Sequence, residues 1–109
     1  MTDLFTEDEV ILTVTRLTRQ QLGRYVEADL VRPHSAEDGM FFRKVDIARL
    51  ELLCDLTQDL DLDEGAVGIV ISLVDQLHDA RRELVMLTEV IQTLPTDLRH
   101  RIGAALQRV

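Results

Sequence analysis

The sequence has little of what stabilises small secreted domains or builds zinc sites. Cys54 is the only cysteine, so an internal disulfide is excluded, and three scattered histidines leave no cysteine–histidine set for zinc. Cys54 stands in the apolar stretch LELLCDL, which favours a buried side chain over a reactive thiol. From this cysteine usage we expect a reducing, cytoplasmic setting.

Aromatic residues and long apolar runs are also scarce. Proteins that hold single-stranded nucleic acid stack bases on aromatic side chains, and this chain has no tryptophan, one tyrosine and three phenylalanines, which disfavours that class. The chain contains no run of about twenty apolar residues, so no membrane-spanning helix is expected. The first residues, MTDLFTEDEV, lack a basic segment followed by an apolar one, so we expect no signal peptide.

Positive charge is the scarcer sign. The formal net charge is −8, and it is concentrated in two blocks without a basic residue, residues 1–9 and residues 51–64. Such blocks repel phosphate and attract basic protein surfaces. The second block contains Glu51, Asp55, Asp59, Asp61, Asp63 and Glu64.

Signatures of catalysis are missing. The sequence has no nucleophile elbow, phosphate-binding glycine loop or paired-carboxylate motif. His78 lies between Asp75 and Asp79, a spacing that could orient an imidazole, but it is typical of a solvated helix flank. We therefore expect a protein that is not an enzyme and that uses no cofactor and no metal.

The first half of the chain predicts two short helices. Thr6 with Glu9 forms a capping-box pattern for the first, and Thr18 caps a second that runs from Arg19 to about Ala28. Gly23 lies in the middle of this second helix, where it indicates either a close contact between helices or a tolerated glycine. Leu22, Tyr25 and Val26 share one face, the side expected to pack inward.

A β-hairpin is predicted next, over the segment LVRPHSAEDGMFFRKV. Pro33 lies at the edge of the first strand, SAEDG supplies turn residues, and Met40, Phe41 and Phe42 begin the second strand. Asp46 is then expected to cap a third helix, IARLELLCDLTQDL, and Asp61 a fourth, with Glu64 at its third position.

The fourth helix carries a heptad seam. A helix from Leu62 to Leu94 would be about 50 Å long, too long to be covered by the preceding sixty residues. We predict that it forms a homodimer, parallel or antiparallel. The alternative is that the chain folds back on itself, since Pro95 ends the helix and a further amphipathic helix follows. The dimer seam comprises Val70, Leu73, Leu77, Ala80, Leu84, Leu87 and Ile91, with Leu94 continuing it.

The order of elements resembles a MerR-type winged helix-turn-helix. The segments FTEDEV, TRQQLGRYVEADLVRP, GMFFRKVDIARL and LDLDEGAVGIVISL carry this likeness. It implies an all-α fold with a small β-hairpin wing. We expect a winged helix-turn-helix-like domain over residues 1–60, a coiled-coil dimerisation helix over 61–94 and a short C-terminal helix over 95–109.

A narrower likeness, over residues 5–94, is to chaperone modulators of the CbpM type. It rests on VEADLVRP and on ARLELLCDLTQDLDLDEGAVGIVISLVDQLHDARRELVML. The resemblance implies a protein that binds the J-domain of a DnaJ/CbpA-like co-chaperone and inhibits its co-chaperone and DNA-binding activities. J-domains of that family present a basic helix, and the block of Glu51, Asp55, Asp59, Asp61 and Asp63 is the expected binding stripe.

The alternative is a MerR-like DNA-binding transcriptional regulator. Such regulators carry several bases on the second helix and wing, whereas here Tyr25 is followed by Val26 and Glu27. The residual candidates for phosphate contact are Arg19, Arg24, Arg43 and Lys44, a weak footprint that makes DNA an unlikely or weak partner. A small structural or effector-binding dimer is a third hypothesis.

Overall fold

The computed structural model describes residues 4–109, and these residues fold into helices with one small sheet. The chain divides into two compact units, Met1–Ile71 and Ser72–Val109. In order, the elements are β1 (Leu4–Thr6), α1 (Glu7–Thr13), α2 (Arg19–Glu27), β2 (His34–Ala36), β3 (Gly39–Arg43), α3 (Lys44–Cys54), a π-helical turn (Asp55–Asp59), α4 (Glu64–Gln92) and α5 (Thr96–Gln107). The all-α fold class with a small sheet is confirmed.

Local sequence signals set the starts of α1 and α2. The Glu9 N–H donates to Thr6 Oγ1 at 3.2 Å, and the Thr6 N–H donates to the Glu9 carboxylate at 3.0 Å. Thr18 and Gln21 make the same reciprocal pair at the start of α2. Both predicted caps are confirmed because each depends on residues three apart in the chain.

The other two predicted caps are wrong. Asp46 does not precede α3 but lies within its first turn, where its carboxylate accepts a hydrogen bond from the Arg43 N–H at 2.8 Å. β3 runs directly into α3 without a linker, so the helix starts earlier than the Asp46 signal indicates. Before α4, Asp63 accepts from the Ala66 N–H at 2.8 Å, whereas Asp61 adopts a left-handed backbone with φ 52°. The sequence pattern alone did not show which of the two acids, Asp61 or Asp63, accepts the hydrogen bond that caps α4.

The predicted hairpin is present, but its first strand begins after Pro33 and includes Ser35 and Ala36, which were predicted to lie in the turn. The hairpin is joined by a strand that the sequence did not reveal. The antiparallel order is β1-β3-β2, with Phe5 opposite Phe42 and Ser35 opposite Met40. β1 has three residues, too few to show the alternation by which strands are recognised. Its pairing places Phe42 at the centre of the sheet, fully buried.

The core of the first unit draws on every helix from α1 to the start of α4. Cys54 belongs to this core, and burial raises the pKa of its thiol, which keeps the sulfur protonated and unreactive at neutral pH. The buried set comprises Val10, Val14, Leu17, Leu22, Leu30, Val31, Phe42, Leu50, Leu53, Cys54, Leu56, Val67 and Ile71.

After Cys54 the helix widens into a π-turn, where a continuous α-helix had been predicted. The Leu60 N–H reaches back five residues to the Asp55 carbonyl at 3.1 Å. Thr57 Oγ1 donates to the Leu53 carbonyl at 2.8 Å, so this side chain satisfies a backbone acceptor in the turn. π-turns are rare and recur at functional positions.

The second unit has no interior of its own. Across Ser72–Val109, every residue of which is described, no side chain is buried. The predicted C-terminal helix is confirmed as α5, but it leaves the seam open, because Leu73, Leu77, Leu84 and Leu87 are each about half exposed or more. These leucines have no cover within this chain.

Gly23 leads to a prediction about stability. A methyl group at this position would meet no atom within 4 Å, so the close-contact interpretation is wrong and the tolerated-glycine alternative holds. We expect Gly23→Ala to raise the free energy of unfolding by about 0.5–1 kcal/mol, measured by urea denaturation followed by circular dichroism. Gly39→Ala is the contrasting control and should destabilise, because Gly39 has φ +129°. A less stable Gly23→Ala variant would contradict the assignment.

Candidate functional site

The acidic stripe, defined as Glu51, Asp55, Asp59, Asp61 and Asp63, is exposed along its whole length. Glu51 lies on α3, Asp55 and Asp59 belong to the π-turn, and Asp61 and Asp63 precede α4. The four-residue spacing predicts that the first three share one face. The stripe is thus a contiguous run of carboxylates at the junction of α3 and α4.

A cation that the sequence did not associate with the stripe lies against it. Arg16, from the turn between α1 and α2, donates to Asp55 and to both carboxylate oxygens of Asp59 at 3.1 Å. These hydrogen bonds, to Asp55 first and Asp59 second, raise the pKa of the Arg16 guanidinium. Gln58 Nε2 also donates to the Arg16 carbonyl at 3.1 Å. Arg16 is about forty residues away in the chain, so no local pattern signals this contact.

The Arg16 contact both fixes and weakens the stripe. It ties the π-turn to the helix-turn-helix, so that Asp55 and Asp59 are presented in a set position. It also places one positive charge beside two of the carboxylates. Ion pairs this exposed contribute little to the stability of the fold. We therefore assign Arg16 the role of orienting the carboxylates of Asp55 and Asp59.

The candidate DNA-contacting bases are partly paired with acids of their own chain. Arg19, at the start of α2, pairs with Glu7 and Asp8, and the hydrogen bond to Asp8 is the main cause that raises its pKa. Arg43, at the end of the wing, pairs with Asp46, whose hydrogen bond likewise raises the Arg43 pKa. The helix and wing that would approach phosphate therefore carry their own counter-ions.

Arg24 and Lys44 complete that predicted set, and both are exposed. Arg24 lies on α2 beside a cleft of about 260 Å³, and Lys44 is the first residue of α3. The structure does not gather the four bases into one patch of unpaired charge.

The cleft, which we call the α2–α4 cleft, is a feature that sequence reasoning missed. Its apolar lining comes from Leu30, Leu62 and Val67, and one wall contains the 3.2 Å hydrogen bond between Tyr25 Oη and Thr57 Oγ1. Three separate elements contribute to it, so only the tertiary fold assembles it. Its remaining lining residues are Gln21, Arg24, Gln58 and Glu64.

The predicted dimer seam follows α4. Val70, at its start, packs against the core of the first unit, whereas Ile91 is half-buried. The seam residues between them are exposed: Leu73, Leu77, Ala80, Leu84 and Leu87. On the flank, Arg82 pairs with Asp79, the neighbour of His78.

Two other kinds of site are absent from the described residues. Within residues 4–109, histidine, cysteine and acidic side chains do not gather in groups of three that could hold a metal ion. No helix in that part of the chain is long and apolar enough to cross a membrane.

Comparison with known proteins gives one match. The family model described as "MerR HTH family regulatory protein" matches residues 7–89, from the first residue of α1 to the last turn of α4. No curated protein and no solved structure matches the chain. The matched span contains the helix-turn-helix, the wing and nearly all of the long helix, which is well over half of the sequence. This chain is therefore a member of the MerR family of helix-turn-helix regulatory proteins.

Proposed function

We propose that this protein is a chaperone modulator of the CbpM type. In this proposal its acidic stripe binds the basic helix of a J-domain from a CbpA-like co-chaperone in the cytoplasm. An occupied J-domain helix is unavailable to the heat-shock chaperone it normally stimulates, and a masked co-chaperone loses its own DNA binding. The observation that carries the proposal is the contiguous, exposed run of carboxylates from Glu51 to Asp63, held in position by Arg16.

The charges on α2 and the wing, the elements that would contact DNA, favour a protein partner over DNA. Each phosphate contact needs an available cation, and specific DNA-binding proteins make several such contacts. In this chain Arg19 and Arg43 each lie against carboxylates of their own unit. Approaching phosphates would have to displace those carboxylates and would meet the net negative charge of the protein.

Electrostatic complementarity would act mainly on the rate of encounter. A stripe of carboxylates facing a basic helix accelerates association and selects against acidic partners. The apolar contacts that slow dissociation would come from side chains beside the stripe, such as Leu60, which lies between Asp59 and Asp61 in the chain and is largely exposed.

In this proposal the protein acts as a homodimer that forms through α4. A helical unit without a buried side chain gains little stability by itself, because isolated helices depend on packing of an apolar face. The seam is symmetric about Arg82, so an antiparallel partner places each residue against a counterpart and fits small Ala80 against large Leu84. A parallel pair would instead place Ala80 against Ala80. The antiparallel pairs among the seam residues that do not pack on the core are Leu73 with Ile91, Leu77 with Leu87 and Ala80 with Leu84.

The triple variant Glu51→Gln, Asp55→Asn, Asp59→Asn tests the stripe. Amides keep the shape of the side chains and still accept hydrogen bonds from Arg16, so the fold should persist where lysine substitutions would oppose Arg16 directly. We expect the association rate with a J-domain to fall by about tenfold or more at low salt, and its dependence on salt to flatten. Surface plasmon resonance at 50 and 300 mM salt measures both quantities.

A matched control removes the same charge elsewhere. Glu27→Gln, Glu37→Gln and Asp38→Asn also neutralise three exposed carboxylates, on the end of α2 and in the wing turn. This control should bind the J-domain nearly as the parent protein does. Equal loss of binding in both triple variants would show that only net charge matters and would refute the acidic stripe as the binding site. The absence of any J-domain binding by the parent protein would refute it as well.

DNA binding is the second candidate function, and family membership favours it. The matched family consists of regulatory helix-turn-helix proteins, and Arg24 is exposed on α2. Fluorescence anisotropy with duplex DNA at rising salt distinguishes the two candidates. Tight binding at physiological ionic strength would support a DNA-binding regulator. Binding that is lost well below that salt concentration would favour the chaperone modulator.

A further inference from the structure

We propose that the α2–α4 cleft binds a small zwitterion with an apolar side chain, a free α-amino acid of the leucine type. The cleft belongs wholly to the first unit, since all of its lining residues fall between Gln21 and Val67. Its volume of about 260 Å³ is below the ~300–1,000 Å³ of sites for drug-sized ligands, which suits a smaller molecule. Such a site requires neither J-domain binding nor the dimer.

Two opposite charges line the cleft. Arg24 of α2 and Glu64 at the start of α4 are both exposed there. Within residues 4–109 neither side chain makes an ion pair, whereas other arginines of this unit, such as Arg16 and Arg19, do. A ligand with a single charge would be attracted by one of the two groups and repelled by the other. A zwitterion is attracted by both.

The part of the cleft beside Arg24 presents hydrogen-bond donors. Gln21 is three residues before Arg24, so the two side chains are neighbours on the surface of α2. Gln21 Oε1 accepts from the Thr18 N–H at 3.0 Å, which leaves Nε2 as the donor end of the amide. This Nε2 makes no hydrogen bond within the described residues. A carboxylate beside Arg24 therefore accepts hydrogen bonds from two side chains.

Tyr25 adds an acceptor for the ammonium group. Thr57 Oγ1 has a single hydrogen, which it donates to the Leu53 carbonyl at 2.8 Å. In the 3.2 Å hydrogen bond between the two hydroxyl groups, Tyr25 Oη must therefore be the donor. Its oxygen keeps its lone pairs for another donor. Tyr25 and Glu64 both line the cleft, so an ammonium group has a hydroxyl oxygen and a carboxylate as acceptors.

An apolar surface completes the cleft. Leu30 and Val67 are buried in the core and Leu62 is half-buried, and all three contribute to the lining. An aliphatic side chain that covers this surface removes apolar area from water, which favours binding in proportion to the area covered. The apolar lining therefore selects leucine-like ligands over zwitterions without a side chain.

Tyrosine fluorescence measures the binding directly, because Tyr25 is the only tyrosine, it lines the cleft and the chain has no tryptophan. L-Leucine should change this fluorescence saturably, with a Kd between about 10 μM and 1 mM for a ligand this small. Three analogues each remove one feature: 4-methylpentanoate lacks the ammonium group, 3-methylbutylamine lacks the carboxylate and glycine lacks the side chain. Each should bind about tenfold more weakly than L-leucine, or weaker still.

Two variants assign the charges. Arg24→Gln should weaken L-leucine binding about tenfold without weakening that of 3-methylbutylamine, which has no carboxylate for Arg24 to bind. Glu64→Gln should weaken L-leucine binding similarly without weakening that of 4-methylpentanoate. Arg32→Gln is the matched control, because Arg32 is exposed in the same unit but does not line the cleft, and it should bind L-leucine as the parent protein does.

Several results would overturn the site. One is the absence of a saturable response to L-leucine at about 10 mM. Others are glycine that binds as tightly as L-leucine, or an Arg32→Gln variant that loses as much affinity as Arg24→Gln. Binding of 4-methylpentanoate as tight as that of L-leucine would overturn the zwitterion. The comparison of analogues uses the parent protein, so it stays decisive even where a variant fails to fold.

Discussion

Replacing Leu84 with aspartate is expected to convert the proposed dimer into a monomer. Leu84 is at the middle of the seam and is 63% exposed in the single chain, so its side chain has no cover except a partner. In the proposed antiparallel register it would pack against Ala80 of the other copy, and the change would bury two unpaired carboxylates per dimer. A buried charge without a partner costs about 3–5 kcal/mol, so the dimer should weaken by at least about a hundredfold.

Sedimentation equilibrium measures this effect, and circular dichroism adds a second signal. Because Ser72–Val109 has no buried side chain of its own, its helices should lose content as the dimer dissociates. Met86→Asp is the matched control, since Met86 is also 63% exposed on α4 but lies off the seam, and it should leave the dimer intact. Two variants that dissociate equally, or a Leu84→Asp variant that stays dimeric, would place the interface elsewhere.

Phe42→Ala is expected to produce the largest loss of stability among single substitutions in the first unit. Phe42 is fully buried in the central strand β3, opposite Phe5 of β1, and is the largest of the fully buried side chains. Removing a buried phenylalanine side chain costs about 3–5 kcal/mol through lost burial and the cavity left behind. Domains of this size are stable by only about 5–15 kcal/mol, so much of the margin would be lost.

The measurement is urea denaturation at a fixed protein concentration, because the proposed dimerisation would make apparent stability depend on concentration. Tyr25 is the only tyrosine and the chain has no tryptophan, so tyrosine fluorescence reports on the first unit alone. Phe41→Ala is the control: Phe41 is the adjacent residue of β3, points to the opposite side of the strand and is half-buried, and should cost about 1 kcal/mol. If the two substitutions cost the same, the sheet does not bury Phe42 as described.

The acidic stripe illustrates how far the sequence leads toward a site. A spacing of four residues predicts that Glu51, Asp55 and Asp59 share one face, since that inference needs only the geometry of a helix. Arg16 was missed because its contacts with Asp55 and Asp59 join residues about forty positions apart. The α2–α4 cleft was missed for the same reason, as its walls come from separate elements.

The sequence by itself determined whatever depends on neighbours in the chain. The capping boxes at Thr6 and Thr18, the hairpin and the heptad seam each follow from residues within a few positions of one another, and hydrogen bonding or side-chain packing at that range hardly depends on the rest of the fold. The same local patterns indicated the order of elements that is shared with the MerR family.

Only the tertiary structure decided the features that long-range contacts create. β1 forms a strand because β3 lies beside it, α3 begins at Lys44 because β3 ends there, and the charges of Arg16 and Arg19 are partly neutralised by acids that folding brings near them. Local patterns record the type of each residue but not which opposite charge folding will place beside it, so the electrostatic character of this surface is a property of the fold.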